Sequence, residues 1–186
     1  WLFQLLREDY NIVRSPKSYN SQIGVPLSVW QIEQENNLCL FEAGISMPGE
    51  MEKLQEMIRP SIGIFTNVGS AHDENFTDHE QKITEKLKLF KDTSKLIYCR
   101  DYPLVHQAIV NGGILSENVS AFTWSKKSRA DLQIGRIHRQ EHETEVQGIY
   151  KNEFIGIRIP FTDDASIENA IHCWALLLFL EVKPDI

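Results

Sequence analysis

The sequence contains no glycine-rich phosphate-binding motif. None of its ten glycines begins a GxxxxGK[ST] loop, and no GxGxxG occurs. Such loops hold phosphates with their backbone N–H groups, so this chain supplies no phosphate-binding loop of its own. Cysteine is also scarce: Cys39, Cys99 and Cys173 lie far apart in apolar runs. This distribution is typical of buried thiols in a reducing compartment and not of a disulfide framework, so we expect a cytoplasmic protein.

Positive charge is in short supply as well. Lys and Arg number 19 against 26 Asp and Glu, which gives a formal net charge of -7. A protein that binds nucleic acid through its phosphates needs clustered Lys and Arg, and this composition argues against that class. The longest apolar run, 173–182, is shorter than the roughly 20 residues that span a bilayer. With 42% apolar residues, the chain is predicted to be soluble and to form one core.

Apolar strand-like runs alternate with segments of helical period as far as residue 124. The predicted strands are 11–15, 38–41, 61–68, 96–99 and 119–124, and the predicted helices are 26–32, 51–58, 83–90 and 104–110. This alternation predicts an α/β fold with a mostly parallel sheet flanked by helices. Three polar-apolar alternations then predict a small antiparallel subsheet within 125–162. Helical spacing returns from Ile167 to Leu180.

Two potential metal ligands follow consecutive predicted strands. Glu42 comes directly after Leu38–Phe41 and before two small residues, and His72 stands at the end of SIGIFTNVGSAH, at the expected tip of the next strand. Taken singly, each is more readily a helix cap or a salt-bridge residue. Because ligands bind at the carboxyl ends of parallel strands, the pair favours a functional role.

The segment from His79 to Lys95 contains five lysines, and most of them are expected on a solvated helix face. Lys86 differs, because it lies three residues after Ile83 and four before Phe90, on the apolar side of the helix. Partial burial there is predicted to lower its pKa. Elsewhere, His138 and His142 are four residues apart, but the surrounding β alternation does not place them on one helical face, so a zinc pair is not expected.

Four ordered segments resemble the central ATP-binding domain of the Mur ligases: SYNSQIGVPLSVW, FEAGISMPGEMEKL, PSIGIFTNVGSAH and HEQKITEKLKLF. The likeness covers essentially the whole chain. Within the family, the sequence is most similar to members that join D-alanyl-D-alanine to a UDP-N-acetylmuramoyl tripeptide. The D-glutamate-adding ligases and the folylpolyglutamate synthases carry other residues after the acidic residue that matches Glu42.

The resemblance implies a P-loop NTPase-like central domain spanning 1–186 and truncated at its N-terminus. In the family, a GxxGKT loop immediately precedes the helix that begins here at Trp1. It also implies flanking N- and C-terminal domains in the parent protein. The isolated fragment is therefore expected to be inactive.

The resemblance further implies a reaction. ATP phosphorylates the terminal carboxylate of the tripeptide, and the amine of D-alanyl-D-alanine attacks the resulting acyl phosphate, so ATP and Mg²⁺ are the cofactors expected of the parent. Glu42 matches the magnesium-binding glutamate of the family. His72 matches the histidine that holds a second ion, although oxygen ligands suit Mg²⁺ better than imidazole. Lys86 matches a lysine that is carbamylated, a modification that would make it an anionic metal ligand.

Some matches are weaker. Asn169 matches an asparagine near the adenine, but Ala165 and Ser166 stand where relatives often have His-Asn. This departure resembles the ligases that are fused to an alanine racemase. Asn20 matches one asparagine of the substrate-side loop, and Lys88 stands where the family more often has an acidic residue.

A different class of function stays open: a noncatalytic Mur-like domain with a structural or interaction role. The presence of Glu42, His72 and Lys86 favours the ligase.

Overall fold

A computed structural model describes residues 1–115 and 119–182. The helices are α1 (Leu2–Leu6), α2 (Gly24–Val29), α3 (Glu50–Ile58), α4 (His79–Leu87), α5 (Pro103–Asn111) and α6 (Asp164–Phe179). The strands are β1 (Ile12–Arg14), β2 (Leu38–Leu40), β3 (Ile62–Phe65), β4 (Lys95–Cys99), β5 (Ser120–Ser125), β6 (Leu132–Arg139), β7 (Thr144–Tyr150) and β8 (Glu153–Ile159). Two short 3₁₀ turns cover Asp73–Asn75 and Lys88–Phe90. None of the helices in these described ranges is long and apolar enough to cross a membrane.

The chain divides into two compact units. The first combines Trp1–Ser61 with Val68–Thr93 and contains α1 to α4 and the parallel pair β1–β2. Met51 and Leu54 are buried on α3 at the helical spacing that the sequence predicts. The helix ends at Ile58, and the C-cap residue Arg59 adopts a left-handed conformation just before Pro60. Ile83 and Leu87 bury the matching face of α4.

The second unit combines Ile62–Asn67 with the described residues from Ser94 onward and contains a six-stranded sheet. Its strand order is β3-β4-β5-β6-β7-β8. The pairings from β3 to β6 are parallel, and the last two are antiparallel. Helix α6 packs on β4 and β5, where Ile97, Trp124 and Ile171 are fully or almost fully buried. The predicted mixed α/β architecture, including the antiparallel part, is confirmed.

The strand ends differ from the predicted ones. Strand β3 stops at Phe65, not at residue 68, so His72 lies seven residues beyond the strand and not at its tip. The intervening residues are small and polar, and they form no ladder with β4. In addition, β2 pairs with β1 and β3 pairs with β4, so the strands preceding Glu42 and His72 belong to different hydrogen-bonded sheets.

Candidate functional site

The first unit contains an open cavity of about 300 Å³. Its wall comes from three stretches of chain: the loop before α2, the loop between β2 and α3, and the loop before α4 together with α4 itself. The lining residues are Asn20, Ser21, Gln22, Gly44, Ile45, Ser46, Glu50, Gly69, Ala71, His72, Lys82 and Lys86. Three residues predicted from the sequence, Asn20, His72 and Lys86, therefore meet at one cavity.

The loop that carries Asn20 is fixed by a close backbone approach. A Cβ atom added at Gly24 would lie 2.6 Å from the Tyr19 Cα, so only glycine fits there without a shift of the backbone. The hydroxyl of Ser21 accepts a hydrogen bond from the Gly24 N–H at 3.2 Å. The Asn20 carbonyl accepts from the Gly44 N–H at 2.7 Å. The last of these contacts joins the loop before α2 to the segment that follows β2.

Glu42 lies beside the cavity wall and is oriented by Asn20. The Asn20 Nδ2 donates to the Glu42 Oε1 at 2.9 Å. Glu42 follows the end of β2 by two residues, and its side chain is exposed. An exposed carboxylate with one neutral hydrogen-bond donor keeps its remaining lone pairs available for a cation.

The loop after Glu42 is held by two carboxylates. Glu50 accepts from the Ser46 N–H at 2.6 Å and from the Met47 N–H at 3.0 Å. Burial alone would raise the pKa of Glu50, but these hydrogen bonds bring the pKa below its ordinary value. Glu85 on α4 accepts from the Gly49 N–H at 2.8 Å, and Gly49 has a positive φ of 86°.

His72 lies in a strained stretch of backbone. Its φ of 64° is in the left-handed region, which is uncommon for a residue with a Cβ. The imidazole is about half exposed, and its Nδ1 lies 4.0 Å from the Glu74 carboxylate. Just beyond it, the Asn75 Nδ2 donates to the Ser46 carbonyl at 2.9 Å, which joins this loop to the loop after β2.

Lys86 is half-buried on α4, at the wall of the cavity. Burial lowers the pKa of its amine, and the positive charge of Lys82 lowers it further. Both the position on the apolar side of the helix and the direction of the shift agree with the expectation from the sequence.

Lys82 was not identified from the sequence, where it counted among the lysines of a solvated face. It is in fact buried, with 2% of its surface exposed. Its Nζ donates to the carbonyls of Gly69 and Ala71 at 2.7 and 2.5 Å and to the Asp73 carboxylate at 2.6 Å. A signal was available, because Lys82 precedes Lys86 by four residues and so shares its face of the helix.

The weaker sequence candidates lie in the second unit. Ser166 and Asn169 are on α6, where the Ser166 N–H donates to the Asp163 carboxylate that caps the helix. Asn169 is exposed. His138 and His142 are also exposed: His138 is on β6, whereas His142 follows it in the hairpin loop. Across 1–115 and 119–182, no three His, Cys, Asp or Glu side chains are grouped to hold a metal ion.

Comparison with known proteins assigns the chain to a family. The family model described as "Mur ligase middle domain" matches residues 2–177. This chain belongs to that Mur ligase family. The predicted family resemblance is thereby confirmed.

Similar curated proteins carry one name, UDP-N-acetylmuramoyl-tripeptide--D-alanyl-D-alanine ligase. The Bacillus subtilis (strain 168) protein is 24% identical over 186 residues, covering 97% of this chain and 38% of its own length. The Rickettsia prowazekii (strain Madrid E) protein is 27% identical over 164 residues, covering 84% of this chain and 35% of its own length. The chain therefore spans somewhat more than a third of the length of these relatives.

Solved structures show the same fold. MurF from Acinetobacter baumannii superposes with a TM-score of 0.85 at 17% identity, over 98% of this chain and 40% of its own. MurF ligase from Thermotoga maritima, crystallised in complex with ADP, gives a TM-score of 0.84 at 19% identity, over 100% of this chain and 43% of its own.

Proposed function

We propose that this chain is the central domain of a cytoplasmic, ATP-dependent ligase that joins D-alanyl-D-alanine to a UDP-N-acetylmuramoyl tripeptide in peptidoglycan synthesis. The reaction would pass through an acyl phosphate. The names of the relatives from B. subtilis and R. prowazekii support this assignment of substrates. The observation that carries it in this chain is the meeting of Asn20, His72 and Lys86 at one cavity, with Glu42 held by Asn20.

The candidate ligands suit Mg²⁺ if Lys86 is carbamylated. The Glu42 carboxylate is a suitable hard oxygen ligand, and the His72 imidazole is a softer one. Lys86 as an ammonium would repel a cation, whereas a carbamate on Lys86 would supply an anionic oxygen at the cavity wall.

Carbamylation of Lys86 needs no co-reactant beyond carbon dioxide. The lone pair of the neutral amine attacks the carbon of CO₂, an N–C bond forms as one C=O π bond opens, and the displaced N–H proton leaves to solvent. Only the neutral amine has the lone pair, so the burial that lowers the pKa of Lys86 favours the reaction.

Each residue has a separate part in the proposed function. A bound divalent ion would reduce the repulsion between the substrate carboxylate and the polyphosphate. Glu42 and carbamylated Lys86 would hold it, with Asn20 keeping the carboxylate of Glu42 in place. His72 would serve a second ion.

Asn20 would in addition face the substrate from its loop. Asn169, with Ser166 beside it on α6, would contact the adenine of ATP. The flanking Mur domains of the intact protein would supply the remaining partners.

The proposal is tested in the intact protein that contains this chain, by measuring phosphate release from ATP with both substrates present. Lys86→Ala should lower turnover by about 100-fold or more, the scale on which supporting charges at metal sites act. A short carboxylic acid such as formate should restore part of it, because it can occupy the place of the carbamate. The exposed Lys91 offers the control Lys91→Ala, which should change nothing.

Two results decide against the proposal. Full activity of Lys86→Ala without added acid would rule out the proposed role of a carbamate on Lys86. Failure of the unmodified intact protein to release phosphate with both substrates would favour a noncatalytic role for the domain.

A further inference from the structure

Lys82 forms hydrogen bonds with the residues on both sides of His72. Its Nζ accepts nothing and donates three hydrogen bonds, to the carbonyls of Gly69 and Ala71 and to the carboxylate of Asp73. Two of these acceptors belong to the residues directly before and directly after His72. The loop is therefore tied to α4 at the point where it carries the imidazole.

This anchoring offsets a conformational cost. His72 has a φ of 64°, and a residue with a Cβ in this region persists only when its surroundings impose it. Lys82 is 2% exposed, so water has little access to its ammonium group, although the Asp73 carboxylate is half exposed. Charge-assisted hydrogen bonds of this kind are stronger than neutral ones.

Neighbouring contacts do not replace this anchor. The Asp73 N–H donates to the Ser70 carbonyl at 3.2 Å, within the same loop. The Asn75 side chain reaches Ser46, but it does so three residues after His72. Lys82 thus joins the residues on both sides of His72 directly to α4.

We propose that Lys82 is a positioning residue, which holds the 69–73 loop in the conformation that presents His72 to the cavity. The inference rests on the proposed function, in which His72 serves a metal ion. In this role Lys82 would not be a metal ligand, because its ammonium group is already engaged by three acceptors. Its effect on catalysis passes through His72.

The test uses the intact protein and Lys82→Met, which keeps a long apolar side chain and removes all three donors. We expect the Mg²⁺ concentration for half-maximal activity to rise about tenfold, in line with losses around metal ligands, while activity recovers substantially at saturating Mg²⁺. His72→Ala should shift the same constant, and the double variant should be no worse than His72→Ala alone, because both changes remove one function. Lys91→Met is the matched control on an exposed lysine and should leave the constant unchanged.

A second measurement separates the positioning claim from the proposed function. Hydrogen exchange of the peptide covering 69–76 should quicken in Lys82→Met and stay unchanged in Lys91→Met. Asp73→Asn weakens the same anchor at a side chain that is half exposed, so folding is not at risk. It should move exchange and Mg²⁺ activation in the same direction by a smaller factor.

Unchanged exchange at 69–76 in Lys82→Met overturns the inference, whatever the activity. A normal Mg²⁺ constant in Lys82→Met, beside a shifted constant in His72→Ala, overturns it as well. If neither His72→Ala nor Glu42→Ala shifts the Mg²⁺ constant, the proposed metal site itself is wrong, and faster exchange in Lys82→Met still supports the anchoring of the loop.

Discussion

The stability of this chain should fall below pH 6.5 because of one buried histidine. His172 on α6 is 2% exposed, and its Nδ1 accepts a hydrogen bond from the Trp124 Nε1 at 3.0 Å. The two rings meet edge to face, with centroids 5.0 Å apart. Burial lowers the pKa of His172 from 6.5 to about 4. A proton on Nδ1 would also break the bond from Trp124.

The direction and size of this pH effect follow from the difference in proton binding between the folded and unfolded states. The pKa is lowered in the folded state, so the unfolded state binds more protons below pH 6.5. The stabilisation is complete above pH 6.5 and is lost as the pH falls towards 4. The pKa of His172 is 6.5 in the unfolded state and about 4 in the folded state. Lowering the pH from 7 to 5 should therefore reduce the free energy of unfolding by about 2 kcal/mol through this residue.

Urea unfolding at pH 7 and pH 5, followed by circular dichroism and tryptophan fluorescence, measures this loss. His172→Asn is the matched variant, because its amide oxygen can accept from Trp124 and it does not titrate. Carboxylates contribute equally to both proteins, so wild type should lose about 2 kcal/mol more than the variant. Equal losses in the two proteins would refute the reasoning.

Three further changes test local features by urea unfolding at pH 7. Gly24→Ala should lower the free energy of unfolding by about 2 kcal/mol because the new Cβ meets the backbone of Tyr19. An unchanged free energy of unfolding would mean that the loop shifts to accommodate the methyl group. Asp78→Ala should cost about 1 kcal/mol by removing the cap on the Gln81 N–H, and Asp78→Asn should cost less. Asp131→Ala should cost about 1 kcal/mol because the Thr123 N–H and hydroxyl lose their shared acceptor; wild-type stability in that variant would contradict this account.

Local periodicity predicts the elements of this chain well. Met51 and Leu54 repeat at helical spacing, and that face is buried on α3. The alternations after Lys126 become three strands of an antiparallel meander, because each strand buries one face only. Each of these patterns involves residues that are close together in the chain, so it can be recognised in a single sequence.

The site was predicted less completely, because its contacts are not local. Glu42, His72 and Lys86 can be identified from their surroundings and from the family motifs. The four-residue spacing to Lys86 indicates the face of α4 on which Lys82 lies, but the acceptors that Lys82 finds there are carbonyls 11 and 13 residues earlier in the chain, which the spacing does not identify. The end of β3 at Phe65 likewise depends on where pairing with β4 stops, and this placed His72 in a loop.

One turn of α4 holds two of the loops around the cavity. Lys82 fixes the loop around His72, and Glu85 fixes Gly49 in the loop after β2. Lys86 follows Glu85 directly and faces the cavity between them. Fraying of this single turn would release the two loops and withdraw Lys86 in the same event, so the cavity should open and close as one cooperative unit. In hydrogen exchange, the amides of α4 should therefore share one opening free energy with those of both loops.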